Sequence, residues 1–545
     1  MPDQNPYFPS EDAPAAPQGK AVNEQSPPDP QQTKTLASAW SGAKDEGVKA
    51  EITPEVQTIN PSPPPPPPTE PAVPVVAATP IPVSPADQSV PAATSAVSGD
   101  PSITQSPRRK FPIKIILGLF GVILLAVLGY FGFKFFSKKA PPPLQQNTIT
   151  WWGLWEDTSI VSPLIEEFQQ TNPNIKIDYV RQSSKDYRER LESSLSKGEG
   201  PDIFFYHNSW VPMFKDKLDK MPSTVMSAGD YAQTFYPVIA SDATSGTGLV
   251  GIPLGYDGLT LFINQDIFDA AGKTPPQTWD ELRKLASDLT VKDKEGIITQ
   301  SGAALGLTEN VDHWPEIMAL MMLQNGVDLA KPSGELAQKA LDFYTLFYKQ
   351  DKVWDATLPP STMAFAAGKV AMMFGPSWRA FDIKEQNPNL RFKAVALPHL
   401  PKDDPTKPDI AYATYWMQGV WYRSPNKEIA WNFLKFMSQK DTLEKLYANE
   451  AKVRLFGEPY PRADMADLIN SHPIIGALIS QAPSAQSWYL ASRTFDGQTG
   501  INTQINKYFE DAINTVNKGT DSQKALETAA AGVAQVLAQF GVSSP

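Results

Sequence analysis

The four histidines are the first residues to consider for chemistry, because imidazole is a frequent catalytic base and zinc ligand. His207, His313, His399 and His472 are far apart, and none has a partner at metal-ligand spacing. The segment DHWP at 312–315 lacks an HExxH partner, and the chain has no cysteine, G-x-S-x-G motif, P-loop or dinucleotide fingerprint. We therefore expect neither an enzyme nor a metal or cofactor site. A glycoside hydrolase needs only two carboxylates and stays open as an alternative.

Tryptophan is the second residue type that suggests a chemical role. Nine tryptophans lie near predicted strand ends or loops: Trp151, Trp152, Trp155, Trp210, Trp314, Trp378, Trp416, Trp421 and Trp488. Flat indole rings combined with polar side chains suit ligands that have apolar C–H faces and a rim of hydroxyl groups. Burial in the core is the competing interpretation for each of these rings.

Strand and helix patterns alternate at the start of the region that holds these residues. Their order is Thr148–Trp152, Ile160–Gln170, Ile175–Val180, Tyr187–Leu195 and Ile203–Tyr206. This β-α-β-α-β order predicts a parallel sheet with right-handed crossovers and ligand contacts at the carboxyl ends of the strands.

Later segments predict a second lobe. Helical patterns dominate Trp279–Tyr348, whereas Val370–Phe374 and Phe392–Ala396 have the composition of strands. A further β-rich segment, Tyr412–Tyr422, leads into a predicted helix over Lys427–Met437. The roughly 400 residues after position 147 are more than a single core usually holds, so we expect two lobes.

The segment Gly251–Leu282 combines several local signals in GIPLGYDGLTLFINQDIFDAAGKTPPQTWDEL. After a broken apolar strand, Asn264 offers a side-chain oxygen to start a short helix, which Gly272 ends. Thr278 and Glu281 then have the spacing of a capping box for a second helix.

This segment as a whole resembles the middle of the bacterial extracellular solute-binding proteins of the carbohydrate-transporting, maltose-binding-like family. Four more segments resemble family blocks in the expected order: PNIKIDYV at 173–180, GEGPDIFFY at 198–206, FAAGKVAMMFGPSW at 365–378 and SPNKEIAWNFLKFM at 424–437. The resemblance covers about residues 147–535. It implies an α/β, two-lobed periplasmic-binding-protein-like fold with a ligand cleft between the lobes.

The resemblance also implies substrate-binding residues. Trp378 follows the Gly-Pro turn expected at 375–376, where the family usually presents a stacking aromatic ring, and Asp257 matches an acidic hydrogen-bond acceptor. Trp155 and Glu156 follow the first strand. Asn208 follows the third strand, where relatives often carry Asp, and it keeps an acceptor but lacks the charge. The remaining candidates rest on placement alone: Tyr256, Trp314, Tyr415, Trp416 and Trp488.

The function implied is that of an ABC importer's receptor, which closes on a sugar or oligosaccharide and is recognised by permease transmembrane subunits. We expect a monomer without cofactors. A tethered glycan sensor without a transport role is the alternative, as is a receptor for a non-sugar solute such as a peptide or a polyamine.

The first 110 residues have a different composition. Of the 53 prolines, 24 precede residue 111, among few large apolar side chains. Such a segment buries too little surface to offset its ordering entropy, so we expect disorder over 1–110. A Pro-rich docking motif is the functional alternative.

A transmembrane helix is predicted over 111–137, because 19 residues from Ile115 to Phe133 carry no charge. A short stalk, 138–147, then leads to the solute-binding domain, 148–545. Without cysteine the chain cannot carry an N-terminal lipid, and the helix would replace that anchor.

Charge gives two further expectations. Four basic residues lie just before the uncharged stretch Ile115–Phe133 and three lie just after it. This weak bias, together with the resemblance, favours a single-pass cell-membrane protein with a cytoplasmic N-terminus and an extracellular C-terminal domain. After residue 139, 37 basic residues face 47 acidic ones, so we expect no nucleic-acid partner.

Overall fold

The structure is a computed structural model that describes residues 123–130, 134, 146–401 and 409–542. The predicted disordered region 1–110 lies outside these residues, and so does most of the predicted span and stalk. Residues 123–130 and 134 are helical. Within the described residues, no helix combines the length and the apolar character needed to cross a membrane.

The first lobe is built on a four-stranded sheet with the strand order β12-β3-β1-β2. Its strands are β1 Asn147–Gly153, β2 Ile175–Arg181, β3 Ile203–His207 and β12 Trp416–Val420. The predicted β-α-β-α-β order is confirmed, and β1 pairs in parallel with β2 and β3. The expectation of a parallel sheet fails for β12, which returns from a distant part of the chain and pairs antiparallel with β3.

The second lobe is built on a five-stranded sheet with the order β10-β6-β9-β8-β7. Its strands are β6 Leu259–Asn264, β7 Val291–Lys292, β8 Ile298–Ala303, β9 Val370–Pro376 and β10 Phe392–Val395. Only β8 and β9 pair in parallel among these strands. Two short pairs complete the strands: β4 Thr244–Ser245 with β5 Gly248–Leu249, and β11 Ala411–Tyr412 with β13 Ala485–Gln486.

Helices surround both sheets. The α-helices of the described globular part are Thr158–Thr171, Tyr187–Lys197, Val211–Phe214, Ala228–Thr234, Pro237–Asp242, Gln265–Ala271, Trp279–Asp288, Trp314–Gln324, Glu335–Lys349, Ser361–Ala366, Arg379–Gln386, Lys427–Met437, Lys440–Glu450, Ile475–Gln481, Ile501–Asn517 and Ser522–Gln539. The two C-terminal helices pack against each other and against Glu335–Lys349. Large apolar side chains fill the core beneath these layers, including Trp151, Trp210, Trp354 and Trp431, all nearly inaccessible to solvent.

The local signals of the segment Gly251–Leu282 are confirmed. The Asn264 side chain accepts from the amides of Asp266 and Ile267, and Gly272 ends the helix with a φ of 60°. Thr278 and Glu281 form the reciprocal capping box. The Gly-Pro turn expected at 375–376 is wrong, because both residues lie within β9, and the chain turns only afterwards, at Ser377 and Trp378.

Two antiparallel segments connect the lobes. Gly258 pairs with Ala413, and the Thr414 amide donates to the Asp257 carbonyl over 3.0 Å. A Cβ atom on Gly258 would lie 2.4 Å from the Tyr412 carbonyl oxygen, so only glycine fits this approach. The contact between the two connections therefore depends on Gly258.

Candidate functional site

A cavity of about 140 Å³ lies between the two sheets and is lined by residues from both lobes. That volume is many times the roughly 10–15 Å³ that one water molecule needs on the same measure, so the cavity has room for a small ligand. Seven of the ten predicted site residues line it: Trp155, Glu156, Tyr256, Asp257, Trp378, Tyr415 and Trp416.

Aromatic rings form the first lobe's wall of the cavity. Trp155 and Trp416 meet edge to face with centroids 5.3 Å apart, and Phe495 lies 5.9 Å from Trp155. Trp416 reaches this wall because β12 runs antiparallel to β3, which places the first residue of β12 opposite His207, the last residue of β3. The antiparallel return therefore adds a ring to the edge where the parallel strands end.

Trp378 forms the wall that the second lobe contributes. It lies at the N-cap of the helix Arg379–Gln386, two residues after the end of β9, and is half-buried. The Arg379 guanidinium lies 4.4 Å from its ring centroid, and His313 meets the ring edge to face at 5.7 Å. These contacts fix the ring's orientation on the protein side, since a cation and a second ring both restrict it.

Both carboxylate oxygens of Asp257 are held by neighbouring donors. Oδ1 accepts from the amides of Gly258 and Ser377 at 2.7 and 2.9 Å, and Oδ2 accepts from the Ser377 hydroxyl at 2.9 Å. Burial raises the pKa of Asp257 to about 7, the hydrogen bonds from Ser377 and Gly258 oppose that rise, and the Glu458 carboxylate adds to it. Asp257 therefore ties the start of β6 to the turn that carries Trp378.

A buried hydrogen-bond chain links the helix Trp314–Gln324 to the segment after Trp488. Arg379 Nε donates to His313 Nε2 at 2.8 Å, so a neutral His313 carries its proton on Nδ1. This Nδ1 lies 2.9 Å from the Ser492 hydroxyl and donates to it. The Ser492 hydroxyl donates to Glu316 at 2.8 Å. Burial and the nearby Arg379 charge hold the pKa of His313 below its usual value, so the imidazole stays neutral.

Carboxylates cluster at another part of the lining. Arg454 lies 2.9 Å from Glu450 and 3.0 Å from Glu458, and the Glu458 amide donates to Glu450 at 2.6 Å. Burial raises the pKa of Glu156 to about 7 and that of Glu450 to about 8, although the Arg454 charge lowers both. One arginine thus faces three carboxyl groups, and near neutral pH some of them retain protons.

Three predicted site residues lie outside the lining. The Asn208 side-chain amide donates to Asp242 at 2.9 Å, and its Oδ1 accepts from the backbone amide of Tyr415 at 3.3 Å. Asn208 therefore helps to position the lining residue Tyr415. Trp314 is buried at the start of its helix, beside the lining residue His313. Trp488 packs against Tyr489 and Phe509.

Several lining residues were not among the predicted site residues. His313 and Glu316 lie three residues apart, Glu450 and Arg454 lie four residues apart, and only folding brings these two segments to one cavity. Phe495 belongs to a loop with left-handed backbone at non-glycine positions, with φ values of 56° at Arg493 and 52° at Phe495. Left-handed backbone at such positions is uncommon and cannot be read from residue types alone.

Within the described residues, no group of three or more His, Asp or Glu side chains is arranged to hold a metal ion. The lining instead offers aromatic faces and hydrogen-bonding side chains, which suits noncovalent binding of a polar organic molecule.

Comparison with known proteins agrees with this architecture. Residues 163–453, more than half of the chain, match the family model for bacterial extracellular solute-binding proteins. A binding protein of Brucella abortus strain 2308 is 24% identical over 315 residues, which cover 54% of this chain and 73% of the relative. The maltotriose-binding protein of Pyrococcus abyssi is 21% identical over 53% of this chain and 62% of its own length.

The fold is shared with solved structures. An ABC transporter solute-binding protein of Thermotoga lettingae, bound to α-D-tagatose, superposes with a TM-score of 0.56 at 23% identity, covering 72% of this chain and all of that one. The structural match supports the two-lobed α/β fold, and the family match covers most of both lobes. The chain therefore belongs to the bacterial extracellular solute-binding proteins.

Proposed function

We propose that this chain binds a sugar or oligosaccharide between its two lobes and delivers it to the permease of an ABC importer. The observation that carries the proposal is the cavity wall: Trp155 and Trp416 from one lobe face a space that Trp378 lines from the other. Aromatic faces stack on the C–H faces of a sugar ring, and the surrounding carboxyl groups bind its hydroxyls. The Pyrococcus relative named for maltotriose and the tagatose complex support the same ligand class.

Closure of the lobes on the ligand follows from this arrangement. A ligand that touches Trp155 and Trp378 together makes its full contacts only when the lobes are close, so binding shifts the population toward the closed form. The connections that pair at Gly258 and Ala413 are the segments about which the lobes would move. The permease would then recognise the closed surface.

We further propose that the predicted span 111–137 anchors the chain in the cell membrane with the solute-binding domain outside. The motivation is the uncharged stretch Ile115–Phe133, together with the absence of any cysteine for a lipid. Protease digestion of intact cells tests the orientation. Cleavage of the solute-binding domain with the N-terminal region protected is expected, and the reverse pattern would overturn it.

Binding is tested by isothermal titration and thermal shift on the full-length chain, kept in a detergent without a sugar headgroup. Mono- and oligosaccharides, amino acids, peptides and polyamines form the panel. A bound ligand raises the melting temperature by mass action. We expect a shift with at least one sugar. A shift with a peptide or a polyamine and with no sugar would replace the carbohydrate proposal by the non-sugar alternative.

A further inference from the structure

The cavity has more carboxyl groups than a neutral ligand requires. Six of them line it, compared with two arginines, Arg454 and Arg493: the carboxyl groups belong to Glu156, Asp257, Glu316, Asp382, Glu450 and Glu458. Arg454 is already paired with Glu450 and Glu458, and Arg493 lies 4.0 Å from Asp312. The lining therefore has more acidic than basic side chains.

Buried acceptor atoms in this lining lack partners. Asp382, Gln418 and Glu450 are 4%, 1% and 0% exposed. Within the part of the chain that the structure describes, no donor forms a hydrogen bond to Asp382 Oδ1, Gln418 Oε1 or Glu450 Oε1. A buried acceptor without a donor costs free energy, so such atoms mark places where a ligand donor is expected.

The three acceptors come from different elements. Gln418 lies on β12, Glu450 is the last residue of the helix Lys440–Glu450, and Asp382 lies in the first turn of the helix Arg379–Gln386. Arg379 occupies the other oxygen of Asp382 at 2.7 Å, and the Glu458 amide occupies the other oxygen of Glu450 at 2.6 Å. In Asp382 and in Glu450, one carboxyl oxygen thus accepts a hydrogen bond from the protein and the other oxygen does not.

The chemistry of the unpartnered oxygens distinguishes two ligand types. A sugar hydroxyl donates one hydrogen and brings lone pairs that also need donors. A protonated amine donates up to three hydrogens, brings no acceptor, and carries the charge that surplus carboxylates stabilise. Unpartnered oxygens in a lining with more carboxyl groups than arginines therefore match the second type.

We propose that the ligand is a sugar that bears a protonated amine, whose ammonium group is held by Glu450 with Glu156 and Glu458. This inference rests on the proposed sugar-binding function and names the substrate class within it. The ring would stack between Trp155 and Trp378, on the opposite walls of the same cavity.

The electrostatics of the site agree with this assignment. Burial raises the pKa of Glu450 to about 8 and that of Glu156 to about 7. The Arg454 charge lowers both pKa values, and the Glu458 carboxylate raises both. The Arg181 charge also lowers the pKa of Glu156. An ammonium group bound beside these carboxyls lowers their pKa values, since an opposite charge favours the ionised form. Binding of an amine at pH 7 should therefore release protons, whereas binding of a neutral sugar should release few.

Isothermal titration of the full-length chain with matched sugars tests the proposal. Gluco-, galacto- and manno-configured monosaccharides and β-1,4-linked disaccharides are each compared as the hydroxyl, the 2-amine and the N-acetyl form. Titration at pH 7 in two buffers of different ionisation enthalpy gives the number of protons released. We expect at least one amine to bind tenfold or more tightly than both of its counterparts, with proton release.

The outcomes separate this inference from the proposed function. Equal or tighter binding of the hydroxyl or N-acetyl form overturns the amine assignment and leaves sugar binding in place. Binding of no sugar in any form overturns both. Amine binding without proton release contradicts the role given to Glu450 and Glu156.

Substitutions locate the ammonium contact. Glu450→Gln keeps an oxygen for the Glu458 amide and removes the charge, so it should reduce the preference for the amine over the hydroxyl form by tenfold or more. Glu444→Gln, on the exposed side of the same helix, is the matched control and should leave the preference unchanged. If Glu450→Gln fails to fold, Glu156→Gln serves in its place. A variant that folds and retains the full preference would refute the contact.

Discussion

The indole rings of Trp155 and Trp416 meet edge to face, with centroids 5.3 Å apart, although one follows the first strand of the domain and the other begins its twelfth. The contact exists because β12 pairs antiparallel with β3. Two rings held in this way need little further ordering when a ligand binds, which lowers the entropic cost of binding.

Replacing Trp378 with alanine should weaken sugar binding tenfold or more, about 1.4 kcal/mol, because the second lobe loses its aromatic face. The fold should survive, since the ring is half-buried rather than part of the core. Trp488→Ala is the control: its ring lies outside the cavity lining against Tyr489 and Phe509, so this variant should lose stability and keep its affinity. Titration and thermal melting separate the two effects, and unchanged affinity in Trp378→Ala would remove that residue from the site.

Substitution of Asp257 should act through Trp378 rather than through a lost ligand contact. Asp257→Ala removes three hydrogen bonds and leaves the buried amides of Gly258 and Ser377 without that acceptor, at a cost of about 1–3 kcal/mol for each unsatisfied group. We expect a lower melting temperature together with weaker binding. Ser377→Ala, which removes only the hydroxyl bond, should show a smaller version of both changes. Weaker binding with unchanged stability would instead indicate direct contact between Asp257 and the ligand.

The stability that Glu450 contributes to the unliganded protein should be lost as the pH rises from about 4.5 to about 8, and the loss should level off above pH 8. The pKa of Glu450 rises from 4.5 to about 8 on folding because the carboxyl is buried, so the folded state binds a proton that the unfolded state has already released. More protons on the folded state give a negative slope of the unfolding free energy with pH, at most about 1.4 kcal/mol per pH unit for one group. Glu450→Gln should flatten the slope and raise the melting temperature at pH 8.5.

Histidine adds the opposite slope at lower pH. Burial lowers the pKa of His207 from 6.5 to about 3, with Glu316 opposing, so the unfolded state binds the extra proton between these values. Between pH 4.5 and 6.5 this gain in stability offsets the loss from Glu450, so stability should change little there and should decrease from pH 6.5 to about 8. Thermal melts of the wild-type chain from pH 5 to 8.5 cover both ranges, and a curve that rises throughout would contradict the Glu450 assignment.

Gly258→Ala should destabilise the connection between the lobes. Its Cβ atom would meet a backbone carbonyl oxygen, that of Tyr412, which cannot move aside as a flexible side chain can. We expect a lower melting temperature and slower or weaker ligand binding, measured by stopped-flow tryptophan fluorescence. Gly272→Ala, where no atom lies near the added methyl group, is a control for the general cost of removing glycine, although its φ of 60° adds strain of its own.

Thr278→Ala should cost about 1 kcal/mol of stability through the lost N-cap and leave ligand affinity unchanged. The helix it starts, Trp279–Asp288, belongs to the second lobe, and neither Thr278 nor Glu281 lines the cavity. Thr274→Ala, an exposed threonine in the preceding turn, should change neither property. Loss of binding in Thr278→Ala alone would show that this helix supports the site.

The sequence by itself determined the local elements. The caps at Asn264 and Thr278, the end of the helix at Gly272 and the alternation of strand and helix from Thr148 onward each depend on residues a few positions apart. Side-chain capping, glycine geometry and hydrophobic periodicity are short-range effects, so they can be read along the chain. The Gly-Pro turn at 375–376 was wrong because pairing with β6 extends β9 through both residues.

The tertiary structure alone decided which of these residues meet. Trp416 lines the cavity because its strand pairs antiparallel with β3. Asn208 also lies at a strand end, but its side chain donates a hydrogen bond to Asp242 and does not line the cavity. Glu450 and Glu458 lie four residues on either side of Arg454, and tertiary packing brings Glu156 from a distant segment to the same arginine. Burial and electrostatic coupling between such segments have no local signature, and they set both the charge of this cavity and the ligand class that we propose for it.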